Sequence, residues 1–368
     1  MKKKRILSVI SAVFTAVVMG LVPTLICIAI GTPRDPNGDG SIDLADGIYI
    51  TQFLSAYHLP SNLTALDFDQ SGVISHMDAY KVQLYNLNLY TPPDYDPSDP
   101  IEYSSSSTRY YRRHDYSNSN KASYYEYSLS PNNVINNIGD VTDTIFGSND
   151  MVRDYDTSVV RLSCGGTGFI IGSHVIATAA HCVYNINTDE FFDLSIDIVD
   201  TDNSVIQTIY PSYSHITKNF AQLASYDPNY DYALIYVTND LTQYGMFNMG
   251  MALEEYIDNE GQVIVSGFPQ SYPSGYESSD YGLRFKASGN ILPDYTTTNN
   301  LCYDADMTNG DSGGPVYIEE GIYTVNNGLE EYKTVVAINV AQNSLANKGI
   351  RINGDILRFY KKNTYLTP

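Results

Sequence analysis

The 368-residue chain contains no tryptophan and only four cysteines, and its 21 lysines and arginines stand against 42 aspartates and glutamates. That shortage of positive charge leaves a formal net charge of −21, which excludes nucleic acid and anionic lipid as partners because both would repel the chain. The cysteines are too few for a disulfide framework. Cys27 sits in the N-terminal leader, so Cys164, Cys182 and Cys302 supply at most one pair and a leftover thiol, and Cys302 has no evident mate. Without tryptophan, the aromatic content rests on 33 tyrosines and 12 phenylalanines, and many of the tyrosines fall in one stretch that lacks the pattern of a folded element. Part of the acidity is concentrated in two short aspartate clusters, which points to bound cations.

The length allows more than one folded unit, and a hydrophobic content of 43% allows a sizeable core. Met1-Lys2-Lys3-Lys4-Arg5 precedes an uncharged apolar run, Ile6 to Ile30. This is the layout of a signal peptide over residues 1–31, with small residues at Ala29 and Gly31 for cleavage. The run is also long enough to remain as a membrane anchor, and then a membrane contact would follow. On either reading the rest of the chain is exported, to be secreted or held extracellularly at the cell surface.

Residues 33–90 carry an internal duplication. Asp35, Asn37, Asp39 and Asp46 in the first copy, and Asp67, Asp69, Ser71 and Asp78 in the second, place oxygen side chains at positions 1, 3, 5 and 12 of a loop. Glycine stands at position 6 of each loop (Gly40, Gly72), and Ser41 and Val73 occupy position 7. A hard cation surrounded by six to eight oxygens, with a glycine at the sharp turn, is what calcium requires. An apolar-periodic segment follows each loop, Gly47–Ala56 and Ala79–Leu89, and is read as a helix. One Asp/Asn/Gly-rich run would be only a surface turn, but two in the same register predict two Ca2+ sites. The loops end in aspartate, with one helix each, and so resemble the dockerin, a duplicated calcium-loop module that plugs enzymes into cohesin-bearing scaffoldins of cellulosome-type complexes. The resemblance covers residues 32–90. It implies that positions 10 and 11, Leu44-Ala45 and His76-Met77, face a cohesin; the bland alternative is that they pack the first helical turn.

Residues 91–143 are rich in Tyr, Ser and Pro, show neither strand nor helix period, and read as a linker or propeptide. From 144 to 368 the texture is β-rich, with runs at Ser158–Leu162, Gly166–Ile171, Val175–Ala180, Ile196–Val199, Tyr232–Val237, Gln262–Gly267, Pro315–Ile318 and Thr334–Val340. Such spacing predicts a mainly β barrel or sandwich.

Three motifs in this region carry chemistry. Cys164 to Cys182 reads as strand, Gly-Ser turn, strand, and delivers His181 at its end; the hairpin brings Cys164 and Cys182 towards bridging distance. Asn309-Gly310-Asp311-Ser312-Gly313-Gly314-Pro315 surrounds a serine with glycines, freeing the backbone N–H groups of Gly310 and Ser312 to hold an oxyanion. Asp231 opens the apolar strand Tyr232–Val237, where a carboxylate needs a partner, and pairing with the Nδ1–H of His181 supplies one. Asp227 and Asp240 lie nearby, but neither leads a strand.

The order His181, Asp231, Ser312, with Thr178-Ala-Ala-His181-Cys182 and Gly310-Asp311-Ser312-Gly313-Gly314-Pro315, resembles the trypsin/chymotrypsin superfamily of serine peptidases. The finer resemblance is to its bacterial glutamyl-endopeptidase-like branch, over residues 144–360. It implies a chymotrypsin-like double six-stranded β-barrel, with the triad in the cleft, beside the small α-helical calcium-binding module. It also implies that Met307, Thr308 and Asn339 line the substrate pocket. Asn339 stands where glutamyl-specific members carry histidine, and no aspartate is seen at the pocket base before Ser312, so cleavage specificity stays open. A cut beside Asp143 or Thr144 would free an amine for Asp311 and release the peptidase from the calcium module. The expected function is a secreted serine endopeptidase that acts on protein or peptide and is docked to a cohesin. The alternative is a binding module that keeps the peptidase fold on the scaffold without catalysis.

Overall fold

The computed structural model describes residues 35–54, 64–92, 107–116, 123–129, 150–202, 204–221, 227–270, 282–325, 328–342, 345–354, 356–357 and 359–360. The leader and the expected start at Thr144 lie outside the described residues. Among the described residues, no helix is long and apolar enough to cross a membrane. The chain forms two compact units. The first holds described residues 35–51, 64–70 and 78–92, and the second holds 52–54, 71–77 and everything from 107 onward.

Both expected helices form, each starting three residues early, at Leu44–Leu54 and His76–Asn86. The early starts have a local cause. The Asp43 carboxylate accepts from the Ala45 amide at 2.7 Å, and the Ser75 hydroxyl accepts from the Met77 amide at 2.9 Å, so each helix is capped from inside its loop. In the first unit a Cβ on Gly47 would come within 3.2 Å of the Ala79 carbonyl, which is how closely the two helices approach. Phe68 packs edge-on to Tyr85 there, with ring centroids 5.8 Å apart.

The second unit is built on two large sheets. In spatial order the first runs Val205–Ile209, Ile196–Val199, Val159–Leu162, Thr167–Gly172, Val175–Thr178, Ala233–Tyr236, Tyr213–Thr217, Ser107–Asp115 and Ser123–Leu129, antiparallel throughout. The second runs Asn300–Tyr303, Asn347–Arg351, Gly328–Gln342, Pro315–Val325, Gln262–Gly267, Phe285–Asn290 and Val152–Arg153, with Asn248–Met249 added in parallel. All eight β-rich runs of the sequence fall on strands of these sheets. Val175–Thr178 and Ala233–Tyr236 are buried at every residue, so both faces of the strands that lead to the site are covered. Val265, Leu301, Met307, Val316 and Val336 fill the core of the second sheet. Fully burying side chains of this kind contributes roughly 1.5–3 kcal/mol each.

Two expectations need correction. The sheets have nine and eight strands among the described residues, where six and six were expected. Part of the excess comes from the segment read as linker: Ser107–Asp115 and Ser123–Leu129 form a hairpin whose first strand pairs with Tyr213–Thr217. An otherwise open strand edge, with its unpaired N–H and C=O groups, accepts such an addition whatever the side-chain pattern. Within the same unit, Val73–Ile74 from the second aspartate-rich loop pairs with Met251–Ala252, and the Leu253 amide donates to the Gly72 carbonyl at 2.6 Å. Gly72 has φ +81°, and a Cβ there would lie 2.7 Å from that of Tyr256. The turn and this close approach therefore both require glycine.

Candidate active site

Strand Val175–Thr178 ends in the tight turn Ala180–Cys182, which presents His181. Asp231 follows the turn Pro228–Tyr230 and stands two residues before strand Ala233–Tyr236, the neighbour of Val175–Thr178 in the sheet. Register then brings the two together. Asp231 Oδ1 accepts the His181 backbone amide at 2.8 Å, and Oδ2 meets His181 Nδ1 at 2.6 Å. Asp231 is fully buried, whereas the His181 side chain keeps 32% exposure. Burial pulls the imidazole pKa down, but the charge and hydrogen bond of Asp231 outweigh it and leave the pKa raised. The two nearby aspartates are used locally: Asp227 accepts from the Asn229 amide, and Asp240 from the amide and hydroxyl of Thr242.

Ser312 sits in a loop sewn to the first sheet through Thr167. The Thr167 amide donates to the Ser312 carbonyl at 2.8 Å, and its hydroxyl donates to the Gly310 carbonyl at 2.7 Å. Cys182 Sγ, one residue beyond His181, lies 3.4 Å from the same Ser312 carbonyl. Gly310 and Gly313 have φ of +101° and +86°. A Cβ on Gly310 would collide with the Phe268 carbonyl, and one on Gly313 with the Thr178 hydroxyl and the Thr167 carbonyl. Among the described residues, the N–H groups of Gly310 and Ser312 have no acceptor, which leaves both available to a ligand oxygen.

The residues expected in a substrate pocket lie elsewhere. Met307 is 2% exposed within the core of the second sheet, and Thr308 is 2% exposed with its amide on Asp311 Oδ2 at 2.8 Å. Asn339 is fully buried and bonded to the nucleophile loop. All three positions are corrected from pocket wall to support: Met307 and Thr308, in the segment between strand Asn300–Tyr303 and the nucleophile loop, and Asn339, on strand Gly328–Gln342, are all buried. An acid that the sequence reading passed over is Asp306, six residues before Ser312. It is 3% exposed and accepts the Asp150 amide at 3.1 Å. Its spacing from the serine was the available signal.

Cys164 and Cys182 are free thiols in hydrogen-bonding contact, not the expected disulfide. The hydrogen bond from Cys182 is the main reason that the Cys164 thiol falls to about 7; burial opposes it, while the Gly166 amide and the His181 charge assist. Cys302 is buried, donates to the Tyr295 carbonyl at 3.0 Å, and has its pKa pushed up to about 11 by burial.

In the second of the two loops expected to bind calcium, one oxygen each from buried Asp67, Asp69 and Asp78 lies within 4.8 Å of the others. The Lys81 ammonium pairs with Asp69. Three buried carboxylates this close repel one another unless a cation shares them, so the residues fit a hard cation. Ser71 and Val73, expected as further ligands, are joined by a 3.2 Å bond from the Ser71 hydroxyl to the Val73 carbonyl. In the first loop, Asp35 accepts the amides of Gly38 and Gly40 at 2.7 and 2.5 Å, and Asn37 accepts that of Asp39 at 2.8 Å. Asp39 in turn accepts the Ser41 amide at 2.9 Å, and Asp46 accepts those of Asn37 and Asp43 at 3.1 and 2.8 Å. Burial pushes the Asp46 carboxyl up to about 6, and the charges of Asp35 and Asp39 add to the rise.

Of the expected cohesin contacts, Leu44 is 58% exposed and Ala45 is exposed, but Met77 is 3% exposed and His76 half-buried. The second pair is therefore corrected: the Ser75 cap and the Val73–Ile74 pairing turn Met77 inward.

The trypsin family model matches residues 146–348, more than half of the chain, and the chain belongs to that family of serine peptidases. Among solved structures, a Glu endopeptidase in complex with MPD is 18% identical, with a TM-score of 0.48, over 60% of this chain and 99% of that one. No curated protein matches the chain.

Proposed function

We propose that the chain is a secreted serine endopeptidase that cleaves peptide bonds by acyl transfer at Ser312. The observation that carries the reading is the double hold of Asp231 on His181, at 2.8 and 2.6 Å, beside a loop whose Ser312 carbonyl contacts Cys182. The Ser312 hydroxyl attacks the scissile carbonyl while His181 takes its proton. His181 then returns that proton to the leaving amine, and a water attacks the acyl-enzyme by the same route. Asp231 holds the tautomer that leaves Nε2 free and stabilises the imidazolium. The N–H groups of Gly310 and Ser312 receive the negative oxygen of each tetrahedral intermediate. Glutamate preference is not part of the proposal, because Asn339 is buried in support of the loop.

The duplicated loops support the further reading that this is a dockerin-type module with two Ca2+, one held by Asp67, Asp69 and Asp78 and the other by Asp35, Asn37, Asp39 and Asp46. Bound calcium would neutralise the converging carboxylates and fasten the loops to their helices. Exposed Leu44 and Ala45, with Ile48 one turn on and also 58% exposed, offer an apolar face for a cohesin. An activating cut near residue 144 would not free the peptidase as the sequence suggested. The ladder from Ser107–Asp115 to Tyr213–Thr217 and the Val73–Ile74 pairing would still hold the N-terminal fragment.

The test is casein hydrolysis by residues 32–368 beside Ser312→Ala, with fluorophosphonate labelling of both. Hydrolysis and labelling that vanish in the variant support the peptidase. A folded wild-type protein that neither cleaves nor labels, before or after treatment with a broad protease, leaves the binding-module reading in its place.

A further inference from the structure

The peptide bond between Asp311 and Ser312 is held from behind. Its carbonyl, on Asp311, accepts Asn339 Nδ2 at 2.9 Å and the Gly314 amide at 3.0 Å. A trans peptide carries its C=O and N–H on opposite sides, so fixing the carbonyl fixes where the Ser312 N–H points. Like that of Gly310, this N–H has no acceptor among the described residues.

Asn339 is well placed to act as this clamp. It is fully buried, and four hydrogen bonds join it to its surroundings. Besides the bond to Asp311, its carbonyl accepts the Gly313 amide at 2.7 Å, its amide donates to the Gly314 carbonyl at 2.9 Å, and its Oδ1 accepts the Tyr303 hydroxyl at 2.7 Å. The last contact sets the orientation of the side-chain amide. A carbonyl needs a donor, so Nδ2 must face Asp311, and the Tyr303 hydroxyl then donates to Oδ1. Tyr303 is itself fully buried on strand Asn300–Tyr303, and burial raises its phenol pKa well above the ordinary value, so it stays a protonated donor. The chain Tyr303–Asn339–Asp311 thus runs from the core of the second sheet to the nucleophile loop. A hydrophobic residue at 339 would complete the apolar strand around it, but it would leave the side-chain interaction with the Asp311 carbonyl unmade.

We infer that Asn339, oriented by Tyr303, is a positioning residue that holds the Ser312 N–H in the direction from which it stabilises the oxyanion. It does not touch substrate. The inference rests on the peptidase reading for its kinetic consequence, though its structural consequence stands apart from it.

The test uses the chain of residues 32–368 carrying Asn339→Leu, close in shape but unable to donate to Asp311 or accept from Tyr303. The end point of fluorophosphonate titration counts competent sites, so rates are expressed per site. Removing an oxyanion donor outright costs about 10²–10³ in kcat, and a donor left free to turn is expected to cost about 10–100-fold in kcat with KM within about twofold. Inhibition by a peptidyl aldehyde, whose hemiacetal places an oxyanion in the same position, is expected to weaken by a similar factor, while inhibition by the product peptide is unchanged. Tyr303→Phe is expected to lower kcat several-fold through the same step, and it serves alone should Asn339→Leu not fold. A kcat per site within twofold of wild type in the folded variants, or a loss confined to KM, would overturn the inference. A crystal structure of a folded variant gives a readout independent of turnover: a turned Asp311–Ser312 peptide supports the clamp, and an unchanged one refutes it. If the wild-type protein hydrolyses nothing while the variant's peptide turns, the peptidase reading falls and the positioning role remains.

Discussion

Asp231 spends both carboxylate oxygens on His181, one on the backbone amide at 2.8 Å and one on Nδ1 at 2.6 Å. The carboxylate thereby sets the position of the histidine's main chain as well as the tautomer of its ring. Because Asp231 is fully buried, little solvent screens the pairing.

Asp231→Asn is expected to lower kcat by about 10³–10⁴-fold, since an amide presents a donor where the ring needs an acceptor. The pH profile adds a second readout. Asp231 raises the His181 pKa, and the ring acts as base only when neutral, so wild-type activity is lost as pH falls through that raised value. Without the carboxylate the imidazole pKa drops, and the acid limb of any residual activity is expected to move to lower pH. The linkage to stability runs in the opposite direction. The pairing contributes fully below the unfolded histidine pKa and is lost as pH rises through the folded one, which denaturant titrations across pH would read in wild type but not in the variant.

Gly313→Ala is expected to destabilise the fold by at least about 2 kcal/mol, because a positive φ and two polar neighbours leave no room for a methyl group. Gly310→Ala would press on the Phe268 carbonyl and turn an oxyanion donor. Activity is then expected to fall by more than the denaturation midpoint implies, and rates per titrated site beside urea melts would separate the two effects.

Cys164 is expected to be the one thiol of the described three that iodoacetamide modifies rapidly in the folded protein. It is exposed, its pKa is near 7, and its midpoint of reaction should lie about two pH units below that of an ordinary thiol. Cys182 and Cys302, both buried with raised pKa values, should react only on unfolding. Peptide mapping after alkylation across pH checks all three.

Chelation of calcium is expected to lower the melting temperature, because the converging carboxylates of Asp67, Asp69 and Asp78 would then lose the cation that they share. Asp78→Asn should reduce the calcium-dependent part of the melt while leaving hydrolysis per active site unchanged. A melting curve indifferent to calcium would argue against the sites.

Cleavage near residue 144 is expected to leave two fragments that co-elute in size exclusion and separate in denaturant. Five register pairs, Tyr111–Asp115 with Tyr213–Thr217, join the fragments independently of the cut. Separation under native conditions would show that these pairings are too weak to hold.

Much of this chain could be read locally. Strands such as Val175–Thr178 and Ala233–Tyr236 are continuous apolar runs bounded by turn residues, and His181, Asp231 and Ser312 stand in short motifs whose glycines and flanking strands announce them. The expectation of calcium loops rested on the same kind of signal, because a twelve-residue pattern of oxygen side chains is a local property. What lay beyond local pattern depended on pairings between distant segments. The hairpin Ser107–Asp115/Ser123–Leu129 has no alternating apolar face and is strand because the edge at Tyr213–Thr217 takes it up. Met77 has the composition of a docking residue but is buried after Val73–Ile74 pairs with Met251–Ala252. Asn339, one polar residue in an apolar strand, looks like a pocket residue until Tyr303 and Asp311 close on it from elsewhere in the chain. Periodicity and motif spacing register what each segment can form, whereas which side chain ends up facing substrate, core or partner follows from contacts that exist only once the sheets have assembled.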